Sequence, residues 1–286
     1  MKEDFDSLFK KKLIETFKAF DAFCAENGLR YFATGGTAIG TVRHKGIIPW
    51  DDDIDVAMIR EDYDRFLSLK SKLEGSGYGI IDPSDKGYYL PFSKFVDNNT
   101  TVWEYCEHEF LLGVYVDVFP LNHVEGDMNK ILKYHKKYAK ICVRYFGGKW
   151  RLFTMATIRM SLKTFASIRF WFKNLLLAKP LRRYYSKKFW DAEKQLKESK
   201  GDFFINYFTH YPMERELIRK EWVEKTVRMP FEDTEINMMQ GYHEYLTQMF
   251  GDYMTPPPPE ARVTHHLHYY VNLDKRLSIN EIKKEL

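Results

Sequence analysis

The sequence predicts an α/β or α+β fold, in which strands are covered by helices and a large basic helical insertion interrupts the chain. Three observations support this class. Residues 4–26 have apolar side chains spaced three and four apart, residues 53–58 alternate between polar and apolar, and residues 128–200 are mostly helical by length and composition. We therefore expect a core of residues 1–127, a basic helical insertion of residues 128–200, and a C-terminal segment of residues 201–286.

The N-terminal elements follow from residue spacing and from a pair of glycines. A helix over residues 4–26 would bury one row of apolar side chains: Phe5, Phe9, Leu13, Phe17, Phe20 and Cys24. Residues 31–33 are predicted to form a short strand, Gly35-Gly36 a turn, and residues 37–42 a short helix.

Residues 53–58 form the clearest strand of the sequence. Alternate side chains of a strand point to opposite faces, so one set should face the core: Ile54, Val56 and Met58. Asp53 and Asp55 then share the other face. A helix over residues 60–73 follows, and further short strands are predicted at 78–81, 90–96, 101–106 and 113–119.

Two kinds of residue are expected to interrupt the later part of the chain. In the helical insertion the expected breaks are at Gly147-Gly148 and Lys179-Pro180. The four prolines of residues 256–259 predict an extended loop. We find no internal repeat.

Composition excludes several classes of protein. Of the 286 residues, 44% are hydrophobic and 16% aromatic, which is unlike a disordered or low-complexity chain. The three scattered cysteines, Cys24, Cys106 and Cys142, form neither a disulfide framework nor a cysteine-based zinc site. The sequence has no apolar signal-peptide core and no apolar stretch long enough to span a bilayer. We therefore expect a cytoplasmic protein.

Charge is distributed unevenly along the chain. The formal net charge is only +4, from 44 Lys and Arg against 40 Asp and Glu. Seventeen of the basic residues lie between Met128 and Trp190, where there is no Asp or Glu, so 27 basic residues face 40 acidic ones elsewhere. This pattern predicts an acidic core and an insertion suited to a polyanionic or membrane partner.

The acidic run at residues 51–55 is the most informative motif. Asp53 and Asp55 project from one face of a strand, where two carboxylates repel each other unless a cation lies between them. Hard oxygen ligands of this kind suit Mg²⁺ or Mn²⁺. The alternative is a solvated acidic turn, which the alternating apolar residues of the strand disfavour.

A glycine motif and a third carboxylate extend this interpretation. Gly35 and Gly36 precede a short helix beginning at Thr37, so backbone N–H groups at its N-terminus can approach a phosphate. Asp117 lies on another alternating strand and could complete a metal site. Three carboxylates, a glycine turn and a divalent cation are typical of phosphoryl or nucleotidyl transfer.

Three segments of the sequence resemble the motifs of one family, the LicD family, which also includes the fukutin-related proteins. The first segment runs from Gly36 to Met58 and on to residues 60–63, and the second is Asp117-Val118-Phe119-Pro120-Leu121. The third comprises residues 251–254 together with Arg262, His265 and His266.

The resemblance implies a nucleotidyltransferase-like fold with a mixed sheet, marked by the glycine pair and by three carboxylates, those of Asp53, Asp55 and Asp117. It also implies a reaction. Members transfer a substituted phosphate, such as phosphocholine from CDP-choline, to a sugar hydroxyl of a surface glycan and release CMP. The acceptor would be a lipopolysaccharide, capsular polysaccharide, teichoic acid or lipid-linked precursor. Related members use other CDP- or CMP-activated groups.

The resemblance also suggests roles for individual residues. Asp53, Asp55 and Asp117 would hold Mg²⁺ or Mn²⁺, and either Asp117 or Asp52 would accept the proton of the acceptor hydroxyl. The expected substrate-binding residues are Gly35, Gly36, Thr37, Arg43, His44, Lys45, Trp50, Lys94, Arg262 and His265. Arg43, His44 and Lys45 fit a phosphate contact as well as a solvated turn. Trp50 could stack on cytosine or pack at the entrance of the strand.

Two questions stay open at the level of sequence. A quaternary ammonium donor would need an aromatic cage, and the available side chains are Tyr88, Tyr89, Trp103 and Tyr105. The chain is too rich in aromatic residues for this set to be specific. The basic segment 128–200 could bind an anionic membrane surface or simply form the outer face of packed helices.

Two other functions are compatible with parts of the sequence. A nucleotidyltransferase acting on RNA or on a small molecule could use the same metal site, although the sequence has no RNA-binding motif and we expect no nucleic-acid partner. A membrane scaffold could use the basic helices alone, but the three core carboxylates argue for an enzyme.

Overall fold

The structure is a computed structural model that describes residues 2–105, 108–146, 165–209, 211–262 and 268–285. The helices are α1 (Lys2–Glu26), α2 (Gly35–His44), α3 (Arg60–Ser68), α4 (Met128–Tyr145), α5 (Phe165–Lys197), α6 (Lys220–Val223), α7 (Tyr242–Phe250) and α8 (Ile279–Glu285). The strands are β1 (Phe32–Ala33), β2 (Asp55–Ile59), β3 (Tyr78–Ile81), β4 (Ser93–Trp103), β5 (Leu112–Val124), β6 (Phe203–Ile205), β7 (Ile218–Arg219), β8 (Thr226–Phe231), β9 (Thr234–Met239) and β10 (Tyr270–Asn272).

A mixed sheet forms the centre of the molecule. Its strand order is β1-β2-β5-β4-β10, with β3 on the edge of β4, and β6 followed by β7 beyond the end of β5. β2 and β5 run parallel, and the other pairs are antiparallel. β8 and β9 form a separate hairpin. This arrangement confirms the predicted α+β class.

The main core is built from aromatic rings between α1 and the sheet. Phe20 of α1 lies 5.0 Å from Tyr31 and 5.6 Å from Phe95 between ring centroids, and all three side chains are fully buried. Edge-to-face contacts of this kind add to the free energy gained from apolar burial. The core is therefore densely packed behind the face of the sheet that carries the carboxylates.

The helices α4 and α5 pack around a second core. Phe189, Tyr138 and Ile141 are buried there against the end of β5 and against β6. A buried ion pair connects this core to the sheet, because Arg60 donates to Glu193 of α5 at 3.2 Å and to Asn122 of β5 at 2.5 Å. None of the helices in the described ranges is both long and apolar enough to cross a membrane.

Most predicted elements are present, with some differences in extent. The helix expected over residues 60–73 is α-helical only to Ser68 and is followed by a 3-10 helix at Lys70–Leu73. The helix over residues 4–26, the strand over 53–58 and the strand at 78–81 occur within two or three residues of their expected bounds. The strands expected at 90–96 and 101–106 are a single strand, β4, because a register irregularity between Asp97 and Val102 accommodates the polar residues between them. β5 extends to Val124, well beyond the expected end, because β6 pairs with its last residues.

Two helices differ from expectation. α2 begins at Gly35 rather than after a glycine turn. α5 continues through the exposed Pro180, although a proline inside a helix removes one backbone hydrogen bond. The expected break at Gly147-Gly148 lies outside the described residues.

Candidate active site

The register of the sheet places three charged side chains in one row. Asp55 is paired with Asp117 across β2 and β5, and Asp117 is paired with Lys94 across β5 and β4. Side chains at directly paired positions lie on the same face of a sheet. The row therefore brings together two predicted carboxylates and a predicted phosphate ligand that are up to 62 residues apart in sequence.

Lys94 is the cation at one end of this row. Its side chain is 1% exposed, and its ammonium Nζ lies 2.6 Å from Asp117 Oδ1, 3.8 Å from Glu104 Oε1 and 3.4 Å from the centroid of the Tyr115 ring. Burial alone would lower the pKa of Lys94, but the carboxylates of Asp117 and Glu104 outweigh burial, and the pKa is raised. Lys94 is therefore a fixed positive charge that holds Asp117.

Glu104 connects Lys94 to two tyrosines. The hydroxyl groups of Tyr89 and Tyr115 both donate to the Glu104 carboxylate. Burial raises the pKa of Glu104, yet Lys94 and the two hydroxyl groups more than compensate and lower it. The ionised network gives the wall of the site a rigid arrangement.

A hydrogen bond to α2 fixes the backbone of Asp55. Its backbone N–H donates to Thr37 Oγ1 at 2.8 Å, so the Thr37 hydroxyl is engaged in joining α2 to β2. Loss of hydration, followed by the charges of Asp53 and Asp117, raises the pKa of the Asp55 carboxyl well above its ordinary value. An environment that raises a carboxyl pKa by like charge is one that a cation would stabilise.

The glycine pair allows α2 to approach the acidic run. A Cβ atom on Gly36 would lie 2.5 Å from Asp51 Oδ2, and one on Gly35 would lie 3.4 Å from Asp55 Oδ2. Gly35 also has a positive φ of 56°, which favours glycine. The first N–H groups of α2 thus lie beside the carboxylates, where a phosphate bridged by a cation would gain their hydrogen bonds.

The carboxylates of the site suit a divalent cation whose remaining ligands come from the substrate. Within the described part of the chain, no group of three or more His, Cys, Asp or Glu side chains forms a ready metal site. Asp117 Oδ1 is hydrogen-bonded to Lys94, which leaves Asp53 and Asp55 as the best placed pair. Mg²⁺ is commonly bound by one or two carboxylates together with substrate phosphates, so this arrangement is chemically suitable.

A second group of predicted residues surrounds Trp50. The guanidinium carbons of Arg43 and Arg262 lie 5.9 and 5.2 Å from the centroid of its ring, and the His44 ring lies 6.1 Å away. Partial burial and then the charge of Arg262 lower the pKa of Arg43. Two guanidinium groups on one indole form a site of concentrated positive charge. Lys45 is exposed and ends α2 in a left-handed conformation.

A cavity of about 330 Å³ opens over the charged row. Residues of β2, β4 and β5 line one side, and residues of the segment 206–216 and of α7 line the other. The charged and polar lining residues are Thr34, Asp53, Asp55, Lys94, Glu104, Asp117, Asn206, Thr209 and Glu216. Its volume is in the range of small-ligand sites.

The structure separates some residues that the sequence grouped together. Asp51 and Asp52 line a different, larger cavity of about 1070 Å³ between α1 and the β8–β9 turn. Of the expected aromatic cage, Tyr105 lines the smaller cavity, whereas Trp103 packs with Leu277 and Ile282. His265 and His266 lie outside the described residues.

Two buried carboxylates that line the cavity were missed by the sequence analysis, those of Glu104 and Glu216. Each is a single glutamate without a motif around it, and each is buried, at 8% and 5% exposed. An acidic residue between Trp103 and Tyr105 is a weak signal for Glu104, and no sequence feature distinguishes Glu216.

The parallel strands that carry Asp55 and Asp117, the helix α2 that begins at Gly35 and the cluster of Arg43, Trp50 and Arg262 suit phosphoryl transfer. A family model described as LicD/FKTN/FKRP, nucleotidyltransferase domain, matches residues 28–161. The lipopolysaccharide cholinephosphotransferase LicD of Haemophilus influenzae is 29% identical over 255 residues, which cover 87% of this chain and 91% of that protein. Residues 28–161 thus match the nucleotidyltransferase domain of the LicD family, and the similarity to these proteins makes the chain a phosphotransferase.

A more distant relative matches a shorter segment. The mouse ribitol 5-phosphate transferase FKRP is 32% identical over 103 residues, which cover 36% of this chain and 19% of that protein. The two named relatives therefore differ in the phosphate group that their names specify, and the shared segment does not by itself identify the group that this chain transfers.

Proposed function

We propose that this enzyme transfers a substituted phosphate, phosphocholine or a related group, from a CDP- or CMP-activated donor to a sugar hydroxyl of a surface glycan or its lipid-linked precursor, and releases CMP. The observation that carries the proposal is the row of Asp55, Asp117 and Lys94 across three adjacent strands, beside the N-terminus of α2.

The reaction would be a displacement at phosphorus. The acceptor hydroxyl oxygen forms a bond to the phosphorus of the transferred group, while the bond from that phosphorus to the oxygen of CMP breaks and CMP keeps the electron pair. The hydroxyl proton passes to a carboxylate. Asp117 is the better candidate for this role than Asp52, because it lines the cavity that also contains Asp53 and Asp55.

Asp53 and Asp55 would hold Mg²⁺ or Mn²⁺ together with the donor phosphates. Such a cation supplies charge neutralisation at the diphosphate when it is bound. Lys94 holds Asp117 in position, and the first N–H groups of α2 would donate to phosphate oxygens. Thr37 fixes the start of β2 by accepting the Asp55 N–H.

The basic cluster would bind the nucleotide part of the donor. Arg43 and Arg262 can donate paired hydrogen bonds to a phosphate, and Trp50 between them offers a ring face for cytosine. His44 and Lys45 extend the positive potential of this surface. His265 stays a predicted substrate ligand.

The site of action would be the cytoplasmic face of the plasma membrane. The ten basic side chains in residues 130–144 and 182–188 are exposed, so they are available to an anionic surface. Attraction to anionic lipid is about 1 kcal/mol for each basic residue near the surface. This attraction would bring the active site close to a lipid-linked acceptor.

The test is release of CMP from a panel of donors. Purified protein with Mg²⁺ or Mn²⁺ is incubated with a glycan acceptor and CDP-choline, CDP-ethanolamine, CDP-glycerol or CDP-ribitol, and CMP is measured by chromatography. We expect release from at least one donor, and loss of release in Asp53→Asn but not in the exposed control Asp202→Asn. Incorporation of NTP into RNA without CMP release would instead support the alternative function.

A further inference from the structure

The turn between β8 and β9 touches the segment 45–50, which lies between α2 and the acidic run. Phe231 pairs with Thr234, so Glu232 and Asp233 are the two residues of a tight hairpin turn. Glu232 has a positive φ of 53°, and turns with this conformation favour glycine, asparagine or aspartate. The backbone of Glu232 is therefore strained, and contacts with its surroundings must hold it in place.

Both the backbone and the side chain of Glu232 bind the segment 45–50. The backbone N–H donates to the carbonyl oxygen of Lys45 at 2.7 Å, and the carboxylate Oε1 accepts the N–H of Ile47 at 2.8 Å. The carboxylate also occupies the space that a Cβ on Gly46 would need. One turn residue thus fixes three consecutive residues that follow α2.

Lys10 of α1 holds the next two residues of the segment. Its ammonium donates to the carbonyl oxygen of Pro49 at 2.7 Å and to that of Ile48 at 3.3 Å. Partial burial lowers the pKa of Lys10, opposed chiefly by the charges of Asp51 and Glu232. The segment is therefore anchored to two other parts of the fold, the helix α1 and the β8–β9 turn.

Trp50 directly follows the anchored residues. Its ring lies beside the guanidinium groups of Arg43 and Arg262, where the nucleotide part of the donor is proposed to bind. Arg43 belongs to α2 and donates to the carbonyl oxygen of Tyr253 at 2.9 Å, so its position does not depend on the turn. Trp50 belongs to no helix or strand, and its position depends on the residues that precede it.

We propose that Glu232 is a positioning residue for donor binding, which holds the segment 45–50 so that Trp50 stands beside Arg43 and Arg262 before the donor arrives. This inference rests on the proposed function, because it takes these three side chains as the nucleotide site. Glu232 itself touches neither donor nor metal. A segment that is already ordered avoids the entropy loss of ordering it on binding.

The same geometry predicts an effect on KM and not on kcat. Asp55 and Asp117 are held by the register of β2 and β5, and Thr37 bonds the backbone of Asp55. These contacts do not involve the β8–β9 turn. Loss of the Glu232 contacts should therefore weaken donor binding and leave the carboxylates in place.

The test compares variants that keep or remove the acceptor oxygen at residue 232. Glu232→Gln keeps an oxygen that can accept the Ile47 N–H. Glu232→Gly removes it and also relieves the positive φ, which favours folding. Asp233→Asn, at the exposed neighbouring position of the turn, is the control. CMP binding is measured by isothermal titration calorimetry, kcat and KM by CMP release, and protection of the Ile47 amide by hydrogen exchange.

Glu232→Gly should bind CMP about tenfold more weakly, because the segment must then be ordered on binding. KM for the donor that wild type uses should rise by a similar factor with kcat nearly unchanged, and the Ile47 amide should exchange faster. Glu232→Gln and Asp233→Asn should behave as wild type.

A second variant acts on the same segment from α1. Lys10→Met frees the carbonyls of Ile48 and Pro49 and should also weaken CMP binding, whereas the exposed neighbour Lys11→Met should not. Combined with Glu232→Gly, its effect should be less than additive, because both residues hold one segment. Lys10→Met decides the inference if Glu232→Gly does not fold.

Three results would overturn the inference. The first is a Glu232→Gly protein that binds CMP as tightly as wild type. The second is equal weakening in Glu232→Gly and Glu232→Gln, which would assign the effect to charge and not to the hydrogen bond. The third is a wild type that does not bind CMP. Absence of CMP release from every donor, with CMP still bound, would contradict the proposed reaction, and the CMP affinities of the variants would still decide the role of Glu232.

Discussion

The charged side chains of the sheet and those of the helical pair α4 and α5 differ in burial and in pairing. In the sheet, Lys94 and Asp117 are buried, paired and aligned by strand register. In α4 and in the described side chains of α5 up to residue 190, each basic residue is exposed. The described basic side chains of this segment thus face solvent, whereas one buried lysine, Lys94, pairs with the carboxylates of the candidate active site.

Because the charges of the sheet are buried, loss of one sheet carboxylate should have the largest effect on activity. Asp55→Asn should reduce the rate of CMP release about a thousandfold, because several kcal/mol of charge stabilisation at the donor phosphates is lost and each ~1.4 kcal/mol is a factor of ten. Asp191→Asn on the exposed face of α5 should leave the rate unchanged. Equal rates in both variants would remove the distinction between the two regions.

Removal of one lysine should lower the free energy of unfolding much more in the sheet than in α5. Lys94→Met leaves Asp117 and Glu104 as buried carboxylates without their cation, which should lower the free energy of unfolding by about 3–5 kcal/mol. Lys188→Met on α5 is exposed and should change it by less than about 0.5 kcal/mol. Urea unfolding measures both values.

A double variant sharpens this comparison. Lys94→Met with Asp117→Leu removes both partners of the buried 2.6 Å ion pair and should recover part of the lost stability, while CMP release stays absent. A double variant no more stable than Lys94→Met would show that Glu104, rather than Asp117, carries the cost of losing the lysine.

Glu216 offers a test in which the pH dependence has a defined sign. Its pKa is raised from 4.5 to about 7 in the folded protein. Between these values the folded state binds more protons than the unfolded state, so this group lowers stability as the pH rises from about 4.5 to about 7. Glu216→Gln removes this loss and should be more stable than wild type at pH 8, by at most about 3 kcal/mol at ~1.4 kcal/mol per pKa unit.

The measurement is thermal unfolding at pH 5 and pH 8. The stability difference between wild type and Glu216→Gln should grow towards pH 8, and the exposed control Glu214→Gln should show no such trend. A difference independent of pH would mean that Glu216 is ionised throughout this range.

The smallest effect is expected for the exposed basic face. Arg182→Gln with Arg183→Gln should change the unfolding free energy by less than about 0.5 kcal/mol, because both side chains are exposed. Binding to vesicles that contain anionic lipid should weaken about thirtyfold, from roughly 1 kcal/mol for each of the two basic residues. Unchanged vesicle binding would count against the proposed membrane contact of residues 128–200.

Features that leave a local sequence pattern were predictable, and features that depend on contacts between distant segments were not. The helix over 4–26 and the strand containing Asp53 and Asp55 were predictable because their apolar periodicities are strong and local. Asp117 was predictable as a site residue from its alternating strand and from family resemblance. Its pairing with Lys94 was not, because register between strands distant in sequence leaves no local signal.

The site residues contributed by later segments were the hardest to predict from the sequence. Glu216 enters the cavity through the packing of the segment after β6, and no residue type or spacing in that segment specifies this position. Composition did not decide what the basic residues contact, because a charged helix face has the same sequence pattern whether it contacts solvent or a membrane. Burial in the structure assigns the described ones to the outer surface.

The close approach of Gly36 to Asp51 has a consequence for sequence variation. The space that a Cβ at residue 36 would need is occupied by the Asp51 carboxylate, at 2.5 Å. The two positions therefore share one volume, and a side chain at residue 36 requires the Asp51 side chain to move or to be replaced by a smaller one. In a combinatorial library of both positions, Gly36→Ala should be recovered mainly together with a smaller residue in place of Asp51. The glycine motif and the acidic motif should therefore vary together.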